Sequence, residues 1–303
     1  MGAGHGHGHG VASAGGRHRW RLAVSFAMVA TFFVVELVVG LISGSLALIS
    51  DAGHMAADVV ALGAALLATK IAARPDTTGR RSYGSYRAEI FASGLTVLIM
   101  LGVSAYVVIE AVGRFGDRPE ISTGPVLIVG VLGLVINIVS IVLLRAGAEE
   151  SLNVKGAYYE VIADAAGSVG VIVAAVLVAT TSEPVWDTVI ALAIGIFVAV
   201  RAVVLGRQVL AVLGQHVPEG LDIDAVADEL AALAGVADVH DLHVWTLTSG
   251  MNVATAHLVL DADVESQSVL EAGQRILRRD HAIEHATLQV ESRPTQACDE
   301  VTW

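Results

Sequence analysis

The stretch Asp51-Ala52-Gly53-His54-Met55-Ala56-Ala57-Asp58 places three ionisable residues in a segment that otherwise has the composition of a membrane helix. In a helix of 3.6 residues per turn, Asp51, His54 and Asp58 lie on one face because they are spaced i, i+3 and i+7. Such groups are costly in hydrocarbon unless they face a bundle interior or a water-filled path. The stretch therefore predicts an ion route through a bundle of helices.

A second apolar segment carries a similar pair, Glu160 and Asp164, spaced i, i+4. Two helices that each present two oxygen or nitrogen ligands one turn apart can close a four-ligand site for a divalent cation. Hydrogen bonding between helices is the alternative, but four titratable groups are a costly way to join two helices. The paired spacing therefore favours a cation site.

Composition indicates a membrane protein, since 54% of the 303 residues are hydrophobic and only 16% are charged. A helix of about 20 apolar residues crosses the ~30 Å of hydrocarbon in a bilayer. Six segments have this length, which predicts six spans. The segments are 20–42, 47–70, 88–113, 123–145, 156–181 and 186–206.

Basic residues predict the orientation of these spans. With a cytoplasmic N-terminus, 12 Lys or Arg fall on the inner side, whereas only Arg114 and Arg118 lie in the outer loops. This bias places both termini in the cytoplasm. The single cysteine, Cys298, excludes an intrachain disulfide and suits a reducing compartment.

The two ends of the chain differ from the apolar middle. Residues 1–19 form a His- and Gly-rich tail that is expected to be disordered, because it has almost nothing to bury. Residues 208–303 carry 16 Asp or Glu but only 4 Lys or Arg, which indicates an acidic soluble appendage rather than a nucleic-acid binder. Its pattern predicts an α-β-β-α-β order, with both helices on one face of a three-stranded sheet. The predicted elements are a helix over 222–234, strands over 236–247 and 251–261, a helix over 266–279 and a strand over 286–291.

The sequence resembles the cation diffusion facilitator family of metal transporters in stretches that follow the family's order. The resemblance covers nearly all of the chain after residue 20. The stretches are Gly44-Ser-Leu-Ala-Leu-Ile-Ser-Asp-Ala-Gly-His-Met-Ala-Ala-Asp58, Tyr83-Gly84 with Arg87-Ala-Glu-Ile90, Asp164-Ala-Ala-Gly-Ser-Val-Gly170, and Val239-His-Asp-Leu-His-Val-Trp245 with His285-Ala-Thr-Leu-Gln-Val-Glu291.

The resemblance implies a homodimeric exporter. It would move Zn²⁺ and related divalent ions out of the cytoplasm in exchange for protons. The implied fold is an all-α six-helix transmembrane domain followed by a cytoplasmic α+β ferredoxin-like domain, in the cell's inner membrane. The expected boundaries are 1–19 for the tail, 20–207 for the transport domain, 208–292 for the dimerisation and regulatory domain, and 293–303 for a C-terminal tail.

The transport site that the resemblance implies consists of His54, Asp58, Glu160 and Asp164. Zinc members of the family have histidine where this chain has Glu160, so one nitrogen and three carboxylates remain. Such a set accepts Zn²⁺, but harder ligands also favour Mn²⁺, Co²⁺ or Fe²⁺. Zinc is the first expectation, with cadmium or cobalt as further substrates, and Asp51 is expected to support the site.

A second metal site in the soluble domain is implied by the positions of His240, His257 and Glu291. Cys298 in the tail, with Asp299 beside it, is expected to complete the site, from its own or the partner subunit. Bound Zn²⁺ would then act as a regulator. The alternative is that these groups belong to the surface and the dimer interface.

Other functions have less support in the sequence. A metallohydrolase would need a run such as His-Glu-x-x-His, and a nucleotide-driven pump would need a phosphate-binding loop; neither run occurs. The chain is therefore predicted not to be an enzyme, to need no prosthetic group, and to use an ion gradient in alternating access. A membrane metal sensor or scaffold that does not transport remains the alternative.

Overall fold

The structure of the chain is a computed structural model that describes the backbone of residues 13–72, 83, 85, 87–114, 119–148, 152–248 and 250–292. The described residues fall into two compact units, one drawn from 1–63 and 95–204 and the other from 64–94 and 205–303. The elements are α1 (Ser13–Ser43), α2 (Leu46–Ala72), α3 (Ala88–Arg114), α4 (Thr123–Ala148), α5 (Leu152–Thr181), α6 (Val185–Leu213), α7 (Ile223–Ala231), β1 (Val236–Thr248), β2 (Met251–Leu260), α8 (Ser266–Asp280) and β3 (His285–Glu291).

The predicted apolar segments coincide with α1 to α6. Within the described part of the chain, α1, α3, α4, α5 and α6 are long and apolar enough to cross a membrane. The remaining helix, α2, has 27 residues and carries the ionisable stretch from Asp51 to Asp58. Large apolar side chains on the outside of these helices, such as Ile42 at 81% and Ile109 at 72% exposure, suit contact with lipid rather than water. The protein is therefore an integral membrane protein.

The start of α2 is fixed by a carboxylate from a distant part of the chain. Asp187, in the first turn of α6, accepts hydrogen bonds from Ser45 Oγ at 2.5 Å and from the Leu46 N–H at 2.6 Å. A carboxylate at this position caps the otherwise unpaired N–H groups of the helix and suits its dipole. Asp187 thereby sets how α2 lies along α6, and so where the ionisable face of α2 stands.

Two hydrophobic groups hold the bundle around that face. The larger group includes Phe32 of α1, Leu48 and Met55 of α2 and Val107 of α3. A smaller group packs Ala57 of α2 against Met100 of α3 and against Val198 and Ala202 of α6. Alanines at such contacts let helices approach closely, so α2 and α6 are neighbours beside the ionisable stretch.

The second unit has the predicted α-β-β-α-β order. Its sheet has the order β1-β2-β3, with β1 antiparallel and β3 parallel to β2. Both helices bury residues in one core with the sheet, including Val226, Leu230, Val269 and Leu277. Asp222 caps α7 by accepting from the N–H groups of Asp224 and Ala225, as its acidic start suggests. The prediction that both helices share one face is confirmed.

The largest difference from the predicted elements lies at helix ends. α1 begins at Ser13, inside the segment 1–19 that was expected to be disordered, and α6 continues to Leu213 instead of ending near 206. Extending an existing helix by one residue is far easier than starting one. Hydropathy therefore marks the part of a helix that crosses the bilayer, but not the turns that continue beyond it.

Candidate metal centre

Three ligand atoms from α2 and α5 converge inside the bundle. His54 Nε2 lies 3.4 Å from Asp164 Oδ1 and 3.8 Å from Asp58 Oδ2. The i, i+4 spacing of His54 and Asp58 puts both on the face of α2 that meets α5. His54 and Asp164 are buried, whereas the Asp58 side chain is about a quarter exposed, at 23%.

The spacing and surroundings of these atoms suit a divalent cation. Two ligand atoms that each lie about 2.1 Å from a tetrahedral Zn²⁺ are about 3.4 Å apart. Asp58 Oδ2 and Asp164 Oδ1 are buried and have no hydrogen-bond partner among the described residues. Buried carboxylate oxygens are normally paired, so the two oxygens are candidate ligands for a cation.

Glu160, the fourth predicted ligand, has a different partner in the structure. Its carboxylate forms an ion pair with Arg201 Nη2 of α6. The same guanidinium reaches His54, since Arg201 Nη1 lies 2.9 Å from His54 Nε2. Glu160 is thus connected to His54 through Arg201, and it is not a member of the close group that His54, Asp58 and Asp164 form.

Arg201 is the residue of this site that the sequence analysis missed. It is one of the 12 basic residues that the predicted orientation places on the inner side. An arginine inside the apolar segment 186–206 is itself a signal, because an ionisable residue within a membrane helix usually has a partner and a function. The identity of that partner depends on which helices are neighbours, which sequence spacing does not give.

Asp51 lies outside the close group, in a second polar region of the bundle. Its Oδ1 is buried without a hydrogen-bond partner among the described residues, and its carboxylate packs so closely on α5 that a Cβ at Gly167 would collide with it. Asn137 Nδ2 of α4 donates to Ser168 Oγ of α5 at 3.3 Å. The Asp51 carboxylate therefore limits how closely α5 can approach α2, and the supporting role of Asp51 at the metal site stays a prediction.

The second predicted metal site lies on the sheet of the other unit. His240 on β1 and His257 on β2 are direct cross-strand partners, and their ring centroids are 5.1 Å apart. His257 Nδ1 lies 3.1 Å from Glu291 Oε1 at the end of β3. These three residues form a compact group of potential ligands, while Cys298 and Asp299 lie outside the described residues.

Asp241 adds a carboxylate beside this group. It lies at an irregularity of the β1–β2 pairing, between His240 and His243, and has a left-handed backbone with φ of 53°. Its oxygens are 2.9 Å from His243 Nε2 and 3.8 Å from His257 Nε2. A bulge re-aims side chains in this way, which the strand pattern of the sequence did not predict.

An apolar helical bundle with buried histidine and carboxylate groups at metal-like spacing is the arrangement expected of a membrane protein that handles divalent cations. Family models agree with this class: "Cation efflux transmembrane domain" matches residues 22–213 and "Cation efflux protein, cytoplasmic domain" matches residues 218–293. The chain therefore belongs to the cation diffusion facilitator family of cation efflux transporters, as the resemblance predicted, and not to a class of enzymes.

Curated relatives extend over almost the whole chain. It is 42% identical to the metal cation efflux system protein CzcD of Cupriavidus metallidurans, over 99% of this chain and 93% of that protein. It is 33% identical to a cadmium, cobalt and zinc/H(+)-K(+) antiporter of Bacillus velezensis, over 92% and 90% of the two chains. It is 34% identical to the zinc transporter ZitB of Escherichia coli, over 92% and 89%.

Among solved structures, the chain matches the metal-bound C-terminal domain of the CzcD transporter of Cupriavidus metallidurans. That match has 35% sequence identity and a TM-score of 0.23, and it covers 23% of this chain and 99% of that one. The family models and the curated relatives show that the chain is a transporter for the efflux of divalent metal cations.

Proposed function

We propose that this protein exports Zn²⁺ from the cytoplasm in exchange for protons, by alternating access to the site between α2 and α5. The observation that carries the proposal is the convergence of His54 Nε2, Asp58 Oδ2 and Asp164 Oδ1 at metal-like spacing. The relatives named as zinc transporter and as cadmium, cobalt and zinc antiporter support zinc as the main substrate, with Cd²⁺ and Co²⁺ as further substrates.

In this proposal Glu160 becomes the fourth ligand when its carboxylate leaves Arg201. The resulting set has one nitrogen and three carboxylates, and Asp51 supports it from the next turn of α2. Three oxygen donors also permit Mn²⁺. Zn²⁺ at this site is the transported substrate.

Proton exchange follows from the chemistry of the ligands. Imidazole and carboxyl groups must lose their protons to bind a metal, so metal binding releases protons and metal affinity rises with pH. A site that faces an acidic outer side would take up protons, release the metal and carry the protons inward. No nucleotide is needed, because the proton gradient supplies the free energy.

We also propose the domain organisation that the sequence predicts for the rest of the chain. We propose that α2 is the sixth span, that 20–207 is the transport domain, and that both termini lie on the cytoplasmic side of the cell membrane. Residues 208–292 would form a ferredoxin-like domain that joins two subunits into a homodimer. Zn²⁺ at His240, His257 and Glu291, with Cys298 of the tail 293–303, would regulate that dimer.

Flux through sealed proteoliposomes tests the proposal. The purified protein should move ⁶⁵Zn²⁺ faster when a pH gradient is imposed, and a panel of Cd²⁺, Co²⁺ and Mn²⁺ in competition gives the order of preference. A protein that binds Zn²⁺ at His54 but carries none across the bilayer would be a sensor or scaffold, and the export proposal would be wrong.

A further inference from the structure

Arg201 makes two contacts that both concern the candidate transport site. Its Nη1 lies 2.9 Å from His54 Nε2, and its Nη2 forms the ion pair with Glu160. A guanidinium has donors and no acceptor, so Nη1 donates and His54 Nε2 accepts. The proton of the neutral imidazole is then on Nδ1, which has no hydrogen-bond partner among the described residues.

The contact with His54 uses the same lone pair that a metal needs. Nε2 is the His54 atom that faces the oxygens of Asp58 and Asp164. An imidazole nitrogen has a single lone pair in the ring plane, so it cannot accept a hydrogen bond from Arg201 and bind a metal ion at the same time. The positive charge of the guanidinium also opposes a cation at this distance.

Packing on α6 holds Arg201 in reach of the site. Phe197, one turn earlier, meets the His54 ring edge-on with 6.3 Å between centroids. Val198 and Ala202 pack against Ala57 of α2. The Arg201 side chain itself is about a quarter exposed, at 27%, so its long stem can carry the guanidinium away from His54 without entering a packed core.

We propose that Arg201 is a tethered cation that competes with the transported metal at His54 and must leave before the metal can bind. The proposal rests on the proposed function, because it takes His54, Asp58 and Asp164 as the transport site. Displacement of Arg201 frees two ligands together, the His54 nitrogen and the Glu160 carboxylate. Arg201 therefore acts as a positioning and competing residue, and does not touch the metal.

Arg201 should also affect the step in which the carrier returns without metal. A carrier that returns without metal must move a site with several carboxyl groups through a low-dielectric bundle, and an unpaired buried charge is costly there. The guanidinium lowers that cost by pairing with Glu160 during the return. Removal of Arg201 should therefore tighten metal binding, slow net export, and leave metal-for-metal exchange, which needs no return of the free carrier, largely intact.

Equilibrium Zn²⁺ binding to the purified full-length protein tests the sign of this effect. Arg201→Gln should lower the Kd at the His54-dependent site by about tenfold or more, because a charged hydrogen bond and a repulsive charge are both removed. Arg201→Lys should lower the Kd by less than Arg201→Gln does. The ammonium keeps the positive charge, but it cannot hold His54 and Glu160 with the same geometry. Arg207→Gln is the matched control: it removes the same charge from an exposed position on α6 and should leave the Kd unchanged.

The Zn²⁺ affinities of these variants test the competition by Arg201 separately from the transport site. A merely structural arginine would weaken binding when removed, so an unchanged or higher Kd in Arg201→Gln would overturn the competition. If Arg201→Gln does not yield folded protein, Arg201→Lys decides: a Kd no lower than that of the wild type would overturn the competition. If His54→Ala binds as many Zn²⁺ ions per subunit as the wild type, the transport site and the competition are rejected together. Loss of one Zn²⁺ per subunit in His54→Ala, without any gain in Arg201→Gln, would reject only the competition.

Discussion

The two candidate metal sites use the same ligand types on opposite kinds of scaffold. In the bundle, His54 and Asp58 on α2 face Asp164 on α5, and the backbone hydrogen bonds of an α-helix run within that helix. In the second unit, His240 and His257 lie on paired strands, and Glu291 ends the third strand of the same sheet. The first set can separate when helices move, whereas the second is fixed by the register of the sheet.

The scaffold decides which of the two sites can carry an ion. Alternating access requires ligands that change their mutual distances or their exposure, and helices that slide or tilt provide such movement. Adjacent strands would have to break their hydrogen-bond ladder to do the same. A site on a sheet is better suited to sense metal, and a site between helices is better suited to transport it.

The largest effect is expected from removal of a ligand in the bundle. Asp58→Ala or Asp164→Ala should abolish ⁶⁵Zn²⁺ flux and raise the Kd of the bundle site by on the order of 100-fold or more, since even residues that only support metal ligands contribute up to that much. Glu110→Gln is the control, because Glu110 pairs with Arg114 on its own helix and should transport normally. Near-normal flux in either alanine variant would remove the bundle site from the mechanism.

Much of this site follows from local sequence. The i, i+4 spacing of His54 with Asp58 predicts one face of a helix, and Asp164 follows from the matching segment. Two long-range contacts at α2 could not be predicted. Arg201 lies 147 positions from its partner His54, and Asp187 lies 142 positions from its partner Ser45. Periodicity reports which face of one helix is special, while the choice of neighbouring helix depends on the packing of the entire bundle.

The sheet of the second unit shows the same limit of sequence-based prediction. Alternation and turn residues predict its strands to within one or two residues, and Asp222 correctly predicts the start of α7. The irregularity at Asp241 escapes the pattern, because a bulge depends on the pairing of two strands rather than on the composition of one. The sequence thus predicts elements and ligand types, while long-range pairing decides which ligands meet.

A change of ligand type in the bundle should alter the metal selectivity of transport, whereas the sheet site should have no such effect. Glu160→His replaces a carboxylate by an imidazole and removes the anionic partner of Arg201. Preference should shift toward Zn²⁺ over Mn²⁺ by about tenfold, since imidazole suits zinc and oxygen suits manganese. Competition of Mn²⁺ against ⁶⁵Zn²⁺ flux measures the shift, and an unchanged ratio would show that residue 160 does not reach the metal.

Close helix packing behind the bundle site provides a smaller effect. Gly167→Ala places a methyl group against the Asp51 carboxylate, and such overpacking costs about 1–3 kcal/mol. The melting temperature of the purified protein should fall, and Zn²⁺ flux should decrease with it.

Gly102→Ala is the control for this variant, because a Cβ there has no neighbour within 4 Å among the described residues. It should be neutral or slightly stabilising, since alanine favours a helix over glycine. Equal melting temperatures for the two variants would contradict the close approach of α5 to Asp51.

The smallest effect on flux is expected from the site on the sheet. His240→Ala combined with His257→Ala should lower Zn²⁺ flux by about fivefold without abolishing it, because coupling between a regulatory and a functional site starts at about 1 kcal/mol, which is a factor of about five. The same variant should lose any Zn²⁺-dependent tightening of the homodimer, in which metal offsets repulsion between two acidic domains. Analytical ultracentrifugation in detergent measures the tightening, with His216→Ala as the control.

We expect the helical site to move metal against protons and the sheet site not to do so. Proteoliposomes with a pH-sensitive dye inside, given ⁶⁵Zn²⁺ outside and an acidic interior, report both ions at once. The wild type and the His240→Ala/His257→Ala variant should take up Zn²⁺ while the interior becomes less acidic, and Asp164→Ala should do neither. Zinc uptake without a pH change, or uptake that depends on the sheet histidines but not on Asp164, would contradict this expectation.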